Sequence, residues 1–150
     1  MNADALRQAA SFCAYQERTV QEVRQKLSAW DVSEEDTEAI LARLIQDGYL
    51  SEERFAKSFS RGKFRTRHWG KIKIEMEMRR KGLGETDRKN ALEEIDQTEY
   101  HDSLKSLLAK KDASLKDTDP RVRKQKLVRY ALSKGYESGL VWKVLGEDWD

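Results

Sequence analysis

A chain of 150 residues has room for one domain, or for a few small modules sharing a core, and excludes a large multidomain enzyme. Charged residues make up 37% and hydrophobic ones 38%, with eight Gly and a single Pro, the composition of a soluble, helix-rich protein. The formal net charge of +2 hides strong segregation: residues 31–53 carry a net −7, 54–81 a net +9, 84–102 a net −5 and 103–134 a net +7.

The first residues, MNADALRQAASFCAYQERT, lack the basic start and apolar run of a signal peptide. No stretch approaches the roughly 18 apolar residues of a membrane span, so a cytoplasmic protein without membrane contact is expected. Cys13 is the sole cysteine, which rules out an internal disulfide or a thiolate metal cluster. Its spacing with Leu6, Ala9 and Ala10 predicts a buried thiol. His68 and His101 stand alone, and no phosphate loop, dinucleotide fingerprint or nucleophile elbow is present. No catalytic, cofactor or metal residue is therefore assigned, and no enzyme is expected.

In chain order, Leu6, Ala9, Ala10 and Cys13 predict a first helix over 3–16. Thr19 and Glu22 form a Thr-x-x-Glu capping box opening a second, with Val20, Val23, Leu27 and Trp30 on one face and an end near Trp30. Ser33 caps a third, whose acidic first turn suits the helix dipole, whose buried face reads Ile40, Leu41, Leu44, Ile45, and whose stop is Gly48. Ser51 opens a fourth with Phe55, Ala56 and Phe59. Gly70 interrupts, and a fifth runs from Lys71 to Lys81 before Gly82. A sixth buries Ala91, Leu92 and Ile95, and a seventh Tyr100, Leu104, Leu107 and Leu108. Asp119-Pro120 has the N-cap then proline order of an eighth, carrying Leu127, Tyr130 and Ala131 up to Gly135. Leu140, Val141, Val144 and Leu145 mark a ninth.

One segment conflicts with this reading. Residues 71–78, KIKIEMEM, alternate charged and apolar, which alone signals a half-buried strand. A lone strand among helices would have no partner. Moreover, Ile74 and Met78 fall into an internal repeat: Val23, Leu27, Val32, Ile40, Leu41 align with Ile74, Met78, Leu83, Ala91, Leu92, and again with Leu127, Ala131, Tyr136, Val144, Leu145, at offsets of 51 and 53 residues. The expectation is an all-α protein of three tandem three-helix repeats, 1–50, 51–97 and 98–150, stacked into an elongated, curved array. Its terminal helices would close the edges, so a monomer is expected.

The cations cluster in the second and third repeats: Arg61, Lys63, Arg65, Arg67, Lys71, Lys73, Arg79, Arg80 and Lys81, then Arg121, Arg123, Lys124, Lys126 and Arg129. They could simply face neighbouring acidic helices in weak surface pairs. Phe64, Trp69 and Ile72 interleave the first block, however, as where cations meet phosphate or carboxylate while apolar groups stack or pack. Trp69 reads equally as an anchor or as core. No helix-turn-helix or zinc-finger signature points to sequence-specific DNA reading.

Arg18-Thr19 followed by EVRQKL, then DGYLSEERFAKSF, GKIKIEMEMRRKGL and KLVRYALSKGYESGLVWKVL, together resemble the RecX family of RecA regulators over most of the chain. The resemblance implies a crescent of three three-helix repeats lodged in the groove of the RecA–DNA filament, suppressing ATP hydrolysis, strand exchange or filament growth. It also implies that the basic runs face RecA or the DNA it encloses, Arg61, Arg65, Arg67, Lys71 and Lys73 foremost. A DNA-binding helical module with weak sequence selectivity is the competing reading.

Overall fold

The structure is a computed structural model that describes residues 2–148, with side chains described as far as residue 146. Among the described residues it holds nine helices and no strand: α1 (Ala3–Tyr15), α2 (Val20–Ala29), α3 (Glu34–Gln46), α4 (Glu52–Arg67), α5 (Lys71–Arg80), α6 (Glu85–Glu93), α7 (Gln97–Ser114), α8 (Pro120–Ser133) and α9 (Ser138–Asp148). They pack in threes, α1–α3, α4–α6 and α7–α9. The starts follow from local chemistry. Thr19 Oγ1 accepts the Glu22 N–H at 3.1 Å while the Glu22 carboxylate accepts the Thr19 N–H at 3.0 Å, completing the capping box. Ser33, Ser51, Asp96 and Asp119 cap α3, α4, α7 and α8, each side chain accepting one first-turn N–H.

The internal repeat is physical. Val23, Ile74 and Leu127 are all buried, as are Leu27, Met78 and Ala131, and Ile40, Ala91 and Val144. The turns between the second and third helix of each triplet carry a left-handed residue at equivalent places, Asp31 (φ 58°), Gly82 (φ 82°) and Gly135 (φ 97°). Residues 71–78 are helical. Ile74 and Met78 are fully buried, while Ile72 and Met76 stand 50% and 43% exposed.

Two details differ from the sequence reading. Ile45 is 54% exposed, and Thr37 joins Ile40, Leu41 and Leu44 on the buried stripe of α3. The helix ends one residue after Ile45, and the left-handed Gly48 folds the chain back so that Leu50 fills the end of the core instead. Ile95 is buried but lies beyond the end of α6. The fourth helix continues through the basic run to Arg67, burying Ser60 and Phe64 on the way.

Two hydrophobic cores result. One belongs to the first triplet alone and includes Cys13, whose thiol is pushed up by burial. The other runs without a break through the second and third triplets. The joint between these two is tightly bound. Gly70 N–H donates to the Lys134 carbonyl at 2.7 Å and Ile72 N–H to the Gly135 carbonyl at 3.0 Å, so α5 begins against the α8–α9 turn. Tyr136 donates to the His68 carbonyl at 3.0 Å and lies 3.1 Å from Ser103 Oγ. Tyr100 donates to Glu137 and accepts the Lys71 N–H, and its hydroxyl is pushed well above the ordinary tyrosine value by burial first and Glu137 second. The accessible surface of 9318 Å² exceeds the roughly 7,900 Å² expected for a compact monomer of this mass, so the triplets are strung out rather than clustered.

The joint between the first and second triplets is thinner. The Glu52 carboxylate accepts the Val20 N–H at 3.1 Å, and Arg54 reaches Glu17 at 2.5 Å and the Gly48 carbonyl at 3.0 Å. Burial, opposed by that Val20 bond, raises the Glu52 carboxyl above its ordinary 4.5. A folded value above the unfolded one favours the protonated, folded protein, so the stabilisation is complete below the unfolded value and is lost as pH rises through the folded one. Glu52→Gln, which keeps an acceptor for Val20 without a charge, should match or exceed the parent near pH 7. Its advantage should shrink as pH falls toward 4.5 and vanish below it. Thermal melts across that range check this, and a constant difference would sink it.

Candidate binding surface

The basic run on α4 divides between two flanks, because residues four apart share a helix face. Arg61 and Arg65 lie on one flank with Lys57, beside Glu94 and Glu99. Arg65 meets Glu99 at 3.8 Å, and Lys57 reaches both Glu53 at 3.0 Å and Glu94 at 3.1 Å. On the other flank stand Phe59 and Lys63, and there the chain turns through His68 to bring Trp69 alongside.

That second flank gathers aromatic rings and ammonium groups from three segments. Phe55 and Phe59 stack with centroids 5.9 Å apart, and Trp69 meets Phe59 edge-on at 6.5 Å. Lys63 Nζ lies 5.1 Å from the Trp69 ring and 5.5 Å from Phe59; Lys73, from the first turn of α5, lies 4.7 Å from Trp69; Lys81, just past α5, lies 5.5 Å from Phe59. Each contact contributes about 0.5–1 kcal/mol, enough to bias where a flexible ammonium rests. None of the three has a carboxylate partner among the described residues. Trp69 and Phe59 are half-buried, so Trp69 both packs on the core and presents a face to the cations. Phe64 is 5% exposed, lies on the Arg65 flank and takes no part in this cluster.

The remaining cations are placed differently. Lys71 lies 4.9 Å from the Tyr100 ring. Arg79 pairs with Glu75 at 2.9 Å and Arg80 with Glu77 at 2.8 Å. Arg123 donates to the carbonyls of Asp112, Leu115 and Asp117 and to the Asp112 carboxylate, holding the α7–α8 connection together, and Lys126 pairs with Asp117. Arg61, Arg67, Arg121, Lys124 and Arg129 have no carboxylate partner among the described residues. Sequence reasoning found the members of the Lys63–Lys73–Lys81 cluster but not their grouping. The i, i+4 spacing of Phe55, Phe59 and Lys63 was the available signal.

Three family models match consecutive parts of the chain: the first three-helix domain of RecX over residues 5–44, the second over 51–92 and the third over 98–145. A regulatory protein RecX of Prosthecochloris aestuarii is 32% identical over 95% of this chain and 92% of its own length. The chain belongs to the RecX family. Another RecX regulatory protein, of Amycolatopsis mediterranei, is 27% identical over 90% of this chain and 77% of its own. The chain spans half the length of a third, from Halalkalibacterium halodurans, at 32% identity. A crystal structure of RecX from Lactobacillus salivarius shares the fold, with a TM-score of 0.90 over 97% of this chain and 94% of that one, at 22% identity. The three-triplet architecture of this RecX chain is thus the family's own, and the Lys63–Trp69–Lys73 grouping sits within its second RecX domain.

Proposed function

We propose that this chain is a non-enzymatic regulator that binds the RecA recombinase and RecA–DNA filaments and restrains ATP hydrolysis, strand exchange and filament growth in the cytoplasm. The observation that carries the surface assignment is the set of three ammonium groups, Lys63, Lys73 and Lys81, steadied on Phe59 and Trp69 without carboxylate partners among the described residues. Such a patch attracts phosphates or a partner's acids at little internal cost, because no existing ion pair has to break. RecX membership supports RecA as the partner. The strung-out shape supports contact with something extended.

The decisive assay is single-strand-dependent ATP hydrolysis by the cognate RecA as this protein is titrated in. Inhibition well below equimolar protein is expected. Unchanged hydrolysis at equimolar protein, with binding to naked oligonucleotides intact, would replace this reading with a DNA-binding module. That module's affinity should fall with salt at a slope near −5 on duplex DNA for about six neutralised phosphates.

A further inference from the structure

A cleft opens on the joint between the second and third triplets, away from the lysine cluster. It has a volume of about 410 Å³, within the range of small-ligand and side-chain sites. Phe64 and Leu107, 5% and 8% exposed, form its apolar base. Tyr130 adds a ring from α8. Its rim carries His68 and charges of both signs, Arg65, Lys110 and Lys134 against Glu99 and Asp102.

Two features decide what such a cleft accepts. The first is rigidity. His68 and Ser103 belong both to its wall and to the Tyr136 network that binds the two triplets. His68 keeps a left-handed backbone (φ 56°) while Tyr136 holds its carbonyl. A preformed wall lowers the ordering cost of binding. The second is the sign pattern. A phosphate backbone would run past the carboxylates of Glu99 and Asp102 and be repelled, whereas a protein segment can oppose each sign with its own. With Arg65 and Glu99 3.8 Å apart and largely cancelling, Lys110 and Lys134 outnumber Asp102. The complement is acidic, with a bulky apolar side chain for the base.

We propose that this cleft seats a segment of the recombinase: one large apolar side chain over Phe64 and Leu107, flanked by a carboxylate that Lys110 and Lys134 receive. The inference rests on the regulatory reading above and adds to it a division of labour. The unopposed lysine cluster serves anions at large, and the mixed-sign cleft serves the protein partner.

The test uses the full chain and two cleft variants, Ser106→Trp, which fills the space from an exposed position on α7, and Lys110→Glu, which reverses the rim. Affinity is measured by anisotropy of labelled chain for cognate RecA assembled on single-stranded DNA, and separately for the naked oligonucleotide, after far-UV dichroism and melting confirm both variants fold. Both should bind the recombinase at least tenfold more weakly and the oligonucleotide within twofold of the parent. Undiminished recombinase binding by both variants overturns the cleft assignment while leaving the regulatory reading standing. Loss of oligonucleotide binding instead makes the cleft a nucleic-acid seat and overturns it too. If the parent itself fails to bind RecA, the regulatory reading falls and the inference with it.

Discussion

Gly135→Ala should lower the stability of this protein by about 3 kcal/mol or more. Two costs combine. Gly135 occupies φ 97°, where a Cβ is strained by at least about 1 kcal/mol. A Cβ there would also stand 2.7 Å from the Lys73 backbone nitrogen and overlap Lys73 Cβ, on a surface where Gly70 and Ile72 already donate to the α8–α9 turn. Backbone atoms cannot swing aside as a flexible side chain can, so relief requires α5 to move off the third triplet and give up those hydrogen bonds. Gly62→Ala is the matched control, since it lies inside α4 with no atom within 4 Å of where the added methyl would stand, and should stabilise by about 0.5–1 kcal/mol. Urea midpoints at a shared slope decide the matter. A Gly135→Ala protein within about 1 kcal/mol of the parent would show that the joint is not close-packed.

The same glycine shows what the sequence makes legible. Its helix-stop role could be read from position alone, because a left-handed residue after a buried stripe is a local requirement. The repeat was equally legible, since buried positions at offsets of 51 and 53 residues report one packing geometry used three times. Two things were not. Gly135 also had to lack a side chain because Lys73 lies against it, a contact between residues 62 positions apart that no local pattern encodes. Ile45 carried the right spacing for the core, yet the helix ended too soon and Leu50 took the place. In the basic run, composition marked the segment but not its division. Phe64, Arg65 and Lys63 are neighbours in sequence and point respectively to the core, to Glu99 and to Trp69.

That division makes the second large effect specific. Reversing Lys63, Lys73 and Lys81 together to Glu should raise the protein concentration needed to inhibit RecA hydrolysis by about 100-fold or more, because each change removes an attraction and adds a repulsion at one patch, for a combined loss of about 3–4 kcal/mol. Folding should survive: each exchange forfeits one or two cation–ring contacts of about 0.5–1 kcal/mol each, with no carboxylate among the described residues left stranded. Arg61 and Arg65 reversed to Glu form the comparison on the opposite flank. There Arg65 already lies against Glu99, and Arg61 beside Glu94, so their field is partly cancelled and the loss should stay within about tenfold. Raising the salt should shrink the difference between the two variants, since both act through exposed charge. Free-energy losses in the ratio of the charge changed, six units against four, would mean that only total charge matters. Inhibition by the lysine variant at the parent's concentration would remove this patch from the binding surface and leave the cleft between the second and third triplets as the remaining candidate.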